Sequence, residues 1–302
     1  MFKNLSTEAL GVTGHQSEII ELALSFGFEG IEVNMADFAE QAANYGLPHA
    51  KRLIESAQIR VGLFQLPVAW TGDEERFRQT MEKLPAVAET AAQLDCRRCV
   101  TLVQPASDDR PYQENFEFHR QRLGEIADVL APHGICLGLN FQATAAGREG
   151  RAFEFIHSLE SLVQMAKNVG RENVGVVLDL WQMYIAGDTL DHAKSLAPDR
   201  VVALYASDAP ADADLEKIED RSRLMPAETG VIDAAAAVAT LTEWGCDGPL
   251  IARCHRASLK DKRRDPIVRL AGERLDRIIK GQQPEDATEE SDSLEPSTSA
   301  TE

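Results

Sequence analysis

The chain is short of positive charge, and that shortage is the first constraint on what it does. Its 31 Lys and Arg face 49 Asp and Glu, a formal net charge of −18, which excludes a surface built to neutralise phosphates and with it a nucleic-acid partner. No apolar run approaches the ~18 residues of a membrane span, so no membrane partner is expected. The opening MFKNLSTEALGV lacks the charged-then-apolar order of a secretory signal, and the chain reads as cytoplasmic. Cysteines are few: Cys96, Cys99, Cys136, Cys246 and Cys254, an odd and scattered set that suits reduced thiols. The pair in CRRC has no second Cys/His pair at zinc spacing and leads into VTLV instead of a helix, so both read as ordinary semi-buried thiols. GxGxxG, GxxxxGK and GxSxG are all absent, which excludes the dinucleotide fingerprint, the phosphate loop and the nucleophile elbow.

What is present is alternation. Short apolar runs ending in polar residues occur at EALGV, GIEVN, RVGLFQLP, CVTLVQP, ICLGLNFQ, VGVVLDLW, VVALYASD and GPLIARCH. Between them lie stretches of helical period, such as SEIIELALSFGF, ERFRQTMEKLPAVAETAAQL, NFEFHRQRLGEIADVLAPHG and DAAAAVATLTEWG, with Ser17 and Asp233 as candidate caps. Eight such strand–helix units are the count of a single (β/α)8 TIM barrel in the α/β class. The barrel is assigned to residues 1–281 and a disordered acidic tail to 282–302. From Pro284 to Glu302 the sequence holds seven acidic residues and no basic ones, with almost no large apolar side chain. The segment Arg253 to Lys280 before it carries ten Lys and Arg against four acids.

A TIM barrel builds its site at the C-terminal ends of its strands. Polar residues that close these strands therefore become the candidates: Asn34, Gln65, Gln104, Asn140, Gln142, Asp179, Gln182, Tyr205, Asp208, Arg253 and His255. Trp70 and Trp181 fall in loops after strands and are candidate stacking platforms for a ligand, with packing of loop on barrel as the alternative. His157, in the loop after the fifth strand, is a candidate substrate contact. The long polar loop PASDDRPYQENF is a candidate lid.

GFEGIEVN, CLGLNF, VGVVLDLWQMYIAGDTL, VVALYASDAPAD and PAETGVID followed by WGCDGPL together resemble the xylose-isomerase-like TIM barrels, the group of sugar-phosphate isomerases and epimerases. That resemblance implies a divalent metal held by Glu, Asp, His and Glu at the ends of strands five to eight. The metal would polarise a carbonyl while a carboxylate moves a proton. Matched position by position, the first Glu is Asn140, the Asp is kept as Asp179, the His is Tyr205 and the last Glu is Arg253. The His that supports the Asp in a DxxH pattern is Gln182. Three of the four expected ligands are replaced, so no metal ligand is assigned and no cofactor is expected.

The resulting expectation is a protein of the sugar isomerase/epimerase group acting without metal on a small polyol or sugar. Asp179, Asp208 and Arg253 would be its catalytic core, and Asn140, Gln182, Tyr205, Trp70, Trp181 and His157 its substrate contacts. The alternative is a non-catalytic relative that binds a carbohydrate-like ligand or a protein partner at the same mouth. Assembly into homo-oligomers is left open. An Asp179–Arg253 pair that fills the cavity would weaken both readings, whereas one that leaves an open pocket would favour a ligand.

Overall fold

The computed structural model describes residues 1–259 and 262–282. Eight parallel strands close a barrel: β1 (Phe2–Leu5), β2 (Gly30–Glu32), β3 (Arg60–Gln65), β4 (Arg98–Leu102), β5 (Cys136–Asn140), β6 (Val174–Asp179), β7 (Val201–Ala206) and β8 (Pro249–Ala252). Closure is made by β1, whose Phe2 and Lys3 register with Pro249 and Leu250 of β8 while Asn4 and Leu5 register with Gly30 and Ile31 of β2. Helices follow the strands and cover the outside, ending in the long Arg264–Ile279. The acidic tail assigned from 282 onward lies outside the described residues save for Gln282.

Seven of the eight strands form where the apolar runs place them. The first does not. EALGV is a turn, and β1 is the preceding FKNL, which alternates too little to be read as a strand. Its polar residues are buried because the fold gives each a place. Lys3 lays its stem along Phe28 and pairs with Asp276 at 2.7 Å. Asn4 points into the barrel, where Gly30 and Gly62 leave it room; a Cβ on Gly62 would come within 2.1 Å of its Oδ1.

The first helix runs Gln16–Ser25 with His15, not Ser17, at the N-cap, and Glu18 accepts the His15 backbone N–H at 3.2 Å. Asp233 does cap its helix, accepting from Ala236 N–H at 2.9 Å. The segment ERFRQTMEKLPAVAETAAQL divides into helices Glu74–Met81 and Leu84–Gln93, the second with Pro85 in its first turn, where a missing N–H does no harm. The lid candidate is tied down. Ala106 and Ser107 pair antiparallel with Glu154 and Phe153 from the loop after β5, making a two-stranded ribbon at the mouth.

Side chains alternate along each strand, so two cores form. Outward residues such as Phe64, Cys99, Leu139, Val176 and Leu204 join the large core beneath the helices. Inward residues Leu63, Val100, Val177, Ala203, Tyr205 and Ile251 form a separate cluster that fills the barrel. The cysteines behave as packing: burial pushes the Cys96, Cys136 and Cys254 thiols up to about 12, away from the thiolate that reactivity needs.

Candidate active site at the barrel mouth

The same alternation decides which residues crown the barrel. At the top of the inward phase lie Tyr205 on β7, itself part of the inward cluster, and Gln65 on β3, Asn140 on β5, Asp179 on β6 and Arg253 just past β8. On β1 and β2 the inward phase of Asn4 and Gly30 leads to Ser6 and Glu32. These residues ring the C-terminal end of the barrel. Between them lies a cavity of about 120 Å³, lined by Ser6, Glu8, Gln65, Thr101, Asn140, Tyr205 and Arg253 among others. A second hollow of about 360 Å³, lined by Glu8, Glu32, Asn34 and Gln65, adjoins it over β2 and β3.

Asp179 is fully buried, and every acceptor position it has is taken. Arg223 Nη1 donates to Oδ1 at 2.9 Å and to Oδ2 at 3.0 Å. Arg253 Nη1 donates to Oδ2 at 3.3 Å, and Trp181 N–H donates to Oδ1 at 3.2 Å as Asp179 caps the short helix Leu180–Ala186. A carboxylate offers about four lone-pair sites, and three donors make four contacts with them, Arg223 Nη1 being shared between the two oxygens.

Arg223 comes from the long loop after β7 and was not among the sequence candidates. It is buried, packs over Trp181 with its guanidinium 5.3 Å from the ring centre, and touches Ser207 Oγ at 3.3 Å. Burial pulls its pKa down, although Asp179 opposes the shift; a guanidinium stays protonated regardless. Arg253 is more open, with its side chain 37% exposed, and lies over the Tyr205 ring at 5.3 Å. Burial disfavours its charge too, but Asp179 and Tyr205 outweigh it and hold the group above its usual value.

The expected catalytic trio is therefore only partly assembled. Asp179 and Arg253 meet as anticipated. Asp208 does not join them, because its Oδ1 accepts from Ala209 and Ile232 N–H at 2.8 and 3.0 Å, and its Oδ2 from Thr229 and Gly230 N–H, each at 2.7 Å. It organises the loop that carries Arg223, and Asp208 and Leu224 also bridge through their backbones.

Of the expected contacts, Asn140 and Tyr205 line the cavity. Asn140 Oδ1 is taken by Phe141 N–H at 2.8 Å. Gln182 is buried beside the cluster: its Oε1 accepts from Ala143 N–H at 2.7 Å and its Nε2 reaches Asp220 at 3.4 Å, so it ties the β5 loop to the β7 loop. Neither tryptophan is a platform. Trp181 is fully buried, its indole N–H without a hydrogen-bond acceptor. Trp70 is buried edge-on to His119 and donates to Thr101 Oγ1 at 2.9 Å, supporting the cavity wall from behind. His157 is fixed locally, its Nδ1 2.7 Å from Phe155 O. Asn34 caps the helix Met35–Tyr45.

These four positions do not fit a divalent cation. Asn140 has lent its carbonyl oxygen to the backbone, Asp179 has no free lone pair, and Arg253 has none to give. Burial and the neighbouring Glu32 push the Tyr205 phenol up, further from the phenolate a metal would need. Among the described residues no group of three or more His, Cys, Asp or Glu is arranged to hold an ion.

A closed parallel barrel with a polar ring at the strand C-termini defines the class: a TIM barrel with its site at the mouth. The profile of the xylose isomerase-like TIM barrel family matches residues 20–280, and the chain belongs to that family. It is 21% identical over 262 residues to inosose isomerase of Bacillus velezensis, a match spanning 86% of this chain and 90% of that protein. Among solved structures, a xylose isomerase domain protein from Alicyclobacillus acidocaldarius superposes with a TM-score of 0.82 at 25% identity, covering 93% of this chain and 99% of that one. The IOLI protein, solved with a bound zinc atom, superposes at 0.75 with 18% identity, covering 92% and 98%. The curated relatives it matches are inosose isomerases, and D-psicose 3-epimerase from Clostridium cellulolyticum H10 shares its fold at 14% identity and a TM-score of 0.69.

The resemblance pointed to the family's ligand positions, but the residues that fill them depend on groups it did not mark. Arg223 lies in a loop with no periodicity, and DRSR looks like any solvated charge run. Glu32 had a signal: it is the acid that ends the apolar GIE, two residues before the Asn34 chosen in its place.

Proposed function

We propose that the chain acts on a small polyol or keto sugar without a divalent ion, with Arg253 in the electrostatic place the ion holds in relatives. The observation that carries this reading is the saturation of Asp179 by Arg223 and Arg253. Arg223 also pairs with Asp220 at 3.6 Å, so Asp179 and Asp220 balance the two guanidinium groups, and Arg253 is the more exposed cation of a neutral cluster. Arg223 is the buried counter-ion, and Arg253 is the partly open donor that lines the cavity beside Tyr205 and Asn140. A guanidinium aimed into a partly closed cavity stabilises oxygen that gains negative charge, as when a carbonyl becomes an enediolate. Thr101, Gln65 and Ser6 supply neutral polar groups of the kind that read hydroxyls.

The test is calorimetric titration of an inosose, D-fructose and their phosphate esters into protein treated with chelator. Binding that survives chelation and weakens about tenfold or more in Arg253→Ala supports the reading. Binding that requires Mn²⁺ or Zn²⁺ overturns it. A second reading, a non-catalytic binder, is favoured by one observation: Asp179 and Asp208, the two acids expected to move protons, have no free acceptor site.

A further inference from the structure

One half-buried carboxyl at the mouth is neither ion-paired nor saturated, beside the exposed Glu8 that lines the same hollows. Glu32, at the end of β2, accepts from Gln65 Nε2 at 2.9 Å through Oε1, while its Oε2 is buried without a hydrogen-bond partner. It lines the hollow that shares Glu8 and Gln65 with the central cavity. A buried polar oxygen kept without a partner is rare in folded proteins. Oε2 itself is shielded, but the side chain as a whole is half-buried and lines the hollow, so a rotation of the carboxyl presents it to a ligand there.

The surroundings suit a group that gains and loses a proton. Burial raises the Glu32 pKa above the ordinary carboxylate range, the Ser6 hydroxyl and Gln65 amide oppose that, Glu8 from the β1 loop adds to it, and Arg253 pulls the other way. Tyr205 faces it from β7, close enough for Glu32 to raise the phenol. No residue of this set forms an ion pair with Glu32 that would fix it as an anion. Both β2 and β8 neighbour β1, so Glu32 and Arg253 stem from strands about 10 Å apart across it. Their side chains converge over the mouth, near enough for Arg253 to act on the Glu32 carboxyl, and the two hollows they line share Glu8 and Gln65.

We propose that Glu32 is the acid–base residue of this site, acting on a keto sugar held against Arg253. The step builds on the metal-free reading above. The Glu32 carboxylate takes the proton from the carbon next to the carbonyl. The C–H electron pair becomes the C=C bond of an enediolate, and the carbonyl pair moves onto oxygen, whose negative charge faces Arg253. The Glu32 O–H then returns the proton on the same face, either to the same carbon, regenerating the sugar, or to the former carbonyl carbon, giving the isomer as the neighbouring hydroxyl passes its proton to the former carbonyl oxygen and becomes the new carbonyl. No oxidant or reductant enters.

The experiment is exchange in D₂O. Protein is incubated with an inosose or with D-fructose, deuterium at the carbon next to the carbonyl is followed by NMR, and binding is measured in parallel by calorimetry. The expected result is exchange in the wild type, a loss of about 100-fold or more in Glu32→Gln with affinity kept within a few-fold, and partial exchange in Glu32→Asp. The rate should rise with pH through a single titration that Glu32→Gln abolishes, which a merely structural role would not produce. Exchange that persists in Glu32→Gln, or wild-type binding without exchange, overturns the role of Glu32 and leaves metal-free binding standing. Absence of binding by the wild type overturns both.

Discussion

The two sides of the barrel mouth solve the problem of buried acid in opposite ways. On the side of β6 to β8, Asp179 is buried and closed off by two arginines and a backbone amide. On the side of β1 to β3, Glu32 is half-buried, with one oxygen held by an amide and the other shielded without a hydrogen-bond partner. The first arrangement is fixed charge: the acid is committed, and removing a partner leaves its charge stranded. The second is an uncommitted acid, which costs more to ionise but remains free to act. The IOLI protein, which shares this fold, has been solved with a bound zinc atom, whereas here the side of Asn140, Asp179, Tyr205 and Arg253 holds a structural and electrostatic cluster. Proton chemistry, on our proposal, has moved across the barrel.

Breaking the closed side should have the largest effect. Arg223→Ala leaves Asp179 buried with only the half-open Arg253, and stability should fall by about 3–5 kcal/mol in urea unfolding. Replacing both partners, with Arg223→Met and Asp179→Leu, should recover part of that loss, since the two fully buried charges are then gone and Arg253, which loses Asp179, keeps its access to water. If the double variant is as weak as the single one, the cluster is not the electrostatic unit described.

Asp208→Ala should cost about 3 kcal/mol by releasing four backbone amides. It should also loosen the loop that carries Arg223, seen as faster amide hydrogen exchange at Thr229, Gly230 and Ile232. Protection unchanged at those amides would place the loop's support elsewhere.

The open side should show a smaller, pH-dependent effect. Burial raises the Glu32 pKa in the folded state, so protons are held more tightly there than in the unfolded chain. The associated stability is fully present below the unfolded carboxylate pKa and is lost as pH rises through the folded value. Glu32→Gln carries no such loss, so its melting temperature relative to wild type should rise across that window. A difference that stays flat with pH would mean Glu32 is not buried as acid.

Smallest of all, Trp70→Phe should cost about 1 kcal/mol for its bond to Thr101, with sugar binding nearly unchanged in calorimetry. A large loss of affinity would return Trp70 to the ligand contacts.

The fold was legible wherever a strand is apolar enough to announce itself. GIEVN, VGVVLDLW and VVALYASD each form where expected, whereas FKNL did not stand out because Lys3 and Asn4 are buried by partners far along the chain, Asp276 for one and Gly62 for the other. The candidate site was legible at the strand ends Asn140, Asp179, Tyr205 and Arg253. It was misread at Trp70 and Trp181, since an indole in a loop looks alike whether it covers a cavity or braces its wall.

The sequence by itself determined the eight-fold alternation of strand and helix. Through the two-residue period of a strand, it also set which side chains crown the barrel, including the exchange of metal-ligand positions for Asn140, Tyr205 and Arg253. Only the tertiary structure decided which of the buried acids is free. Side-chain period fixes the face a residue takes, but its partner is chosen by barrel closure and by loops, which carry no period. Arg223 reaches Asp179 from 44 residues away, and Asp208 spends its oxygens on amides more than 20 residues downstream. Glu32 is left open because, among the described residues, no loop cation comes to pair with it.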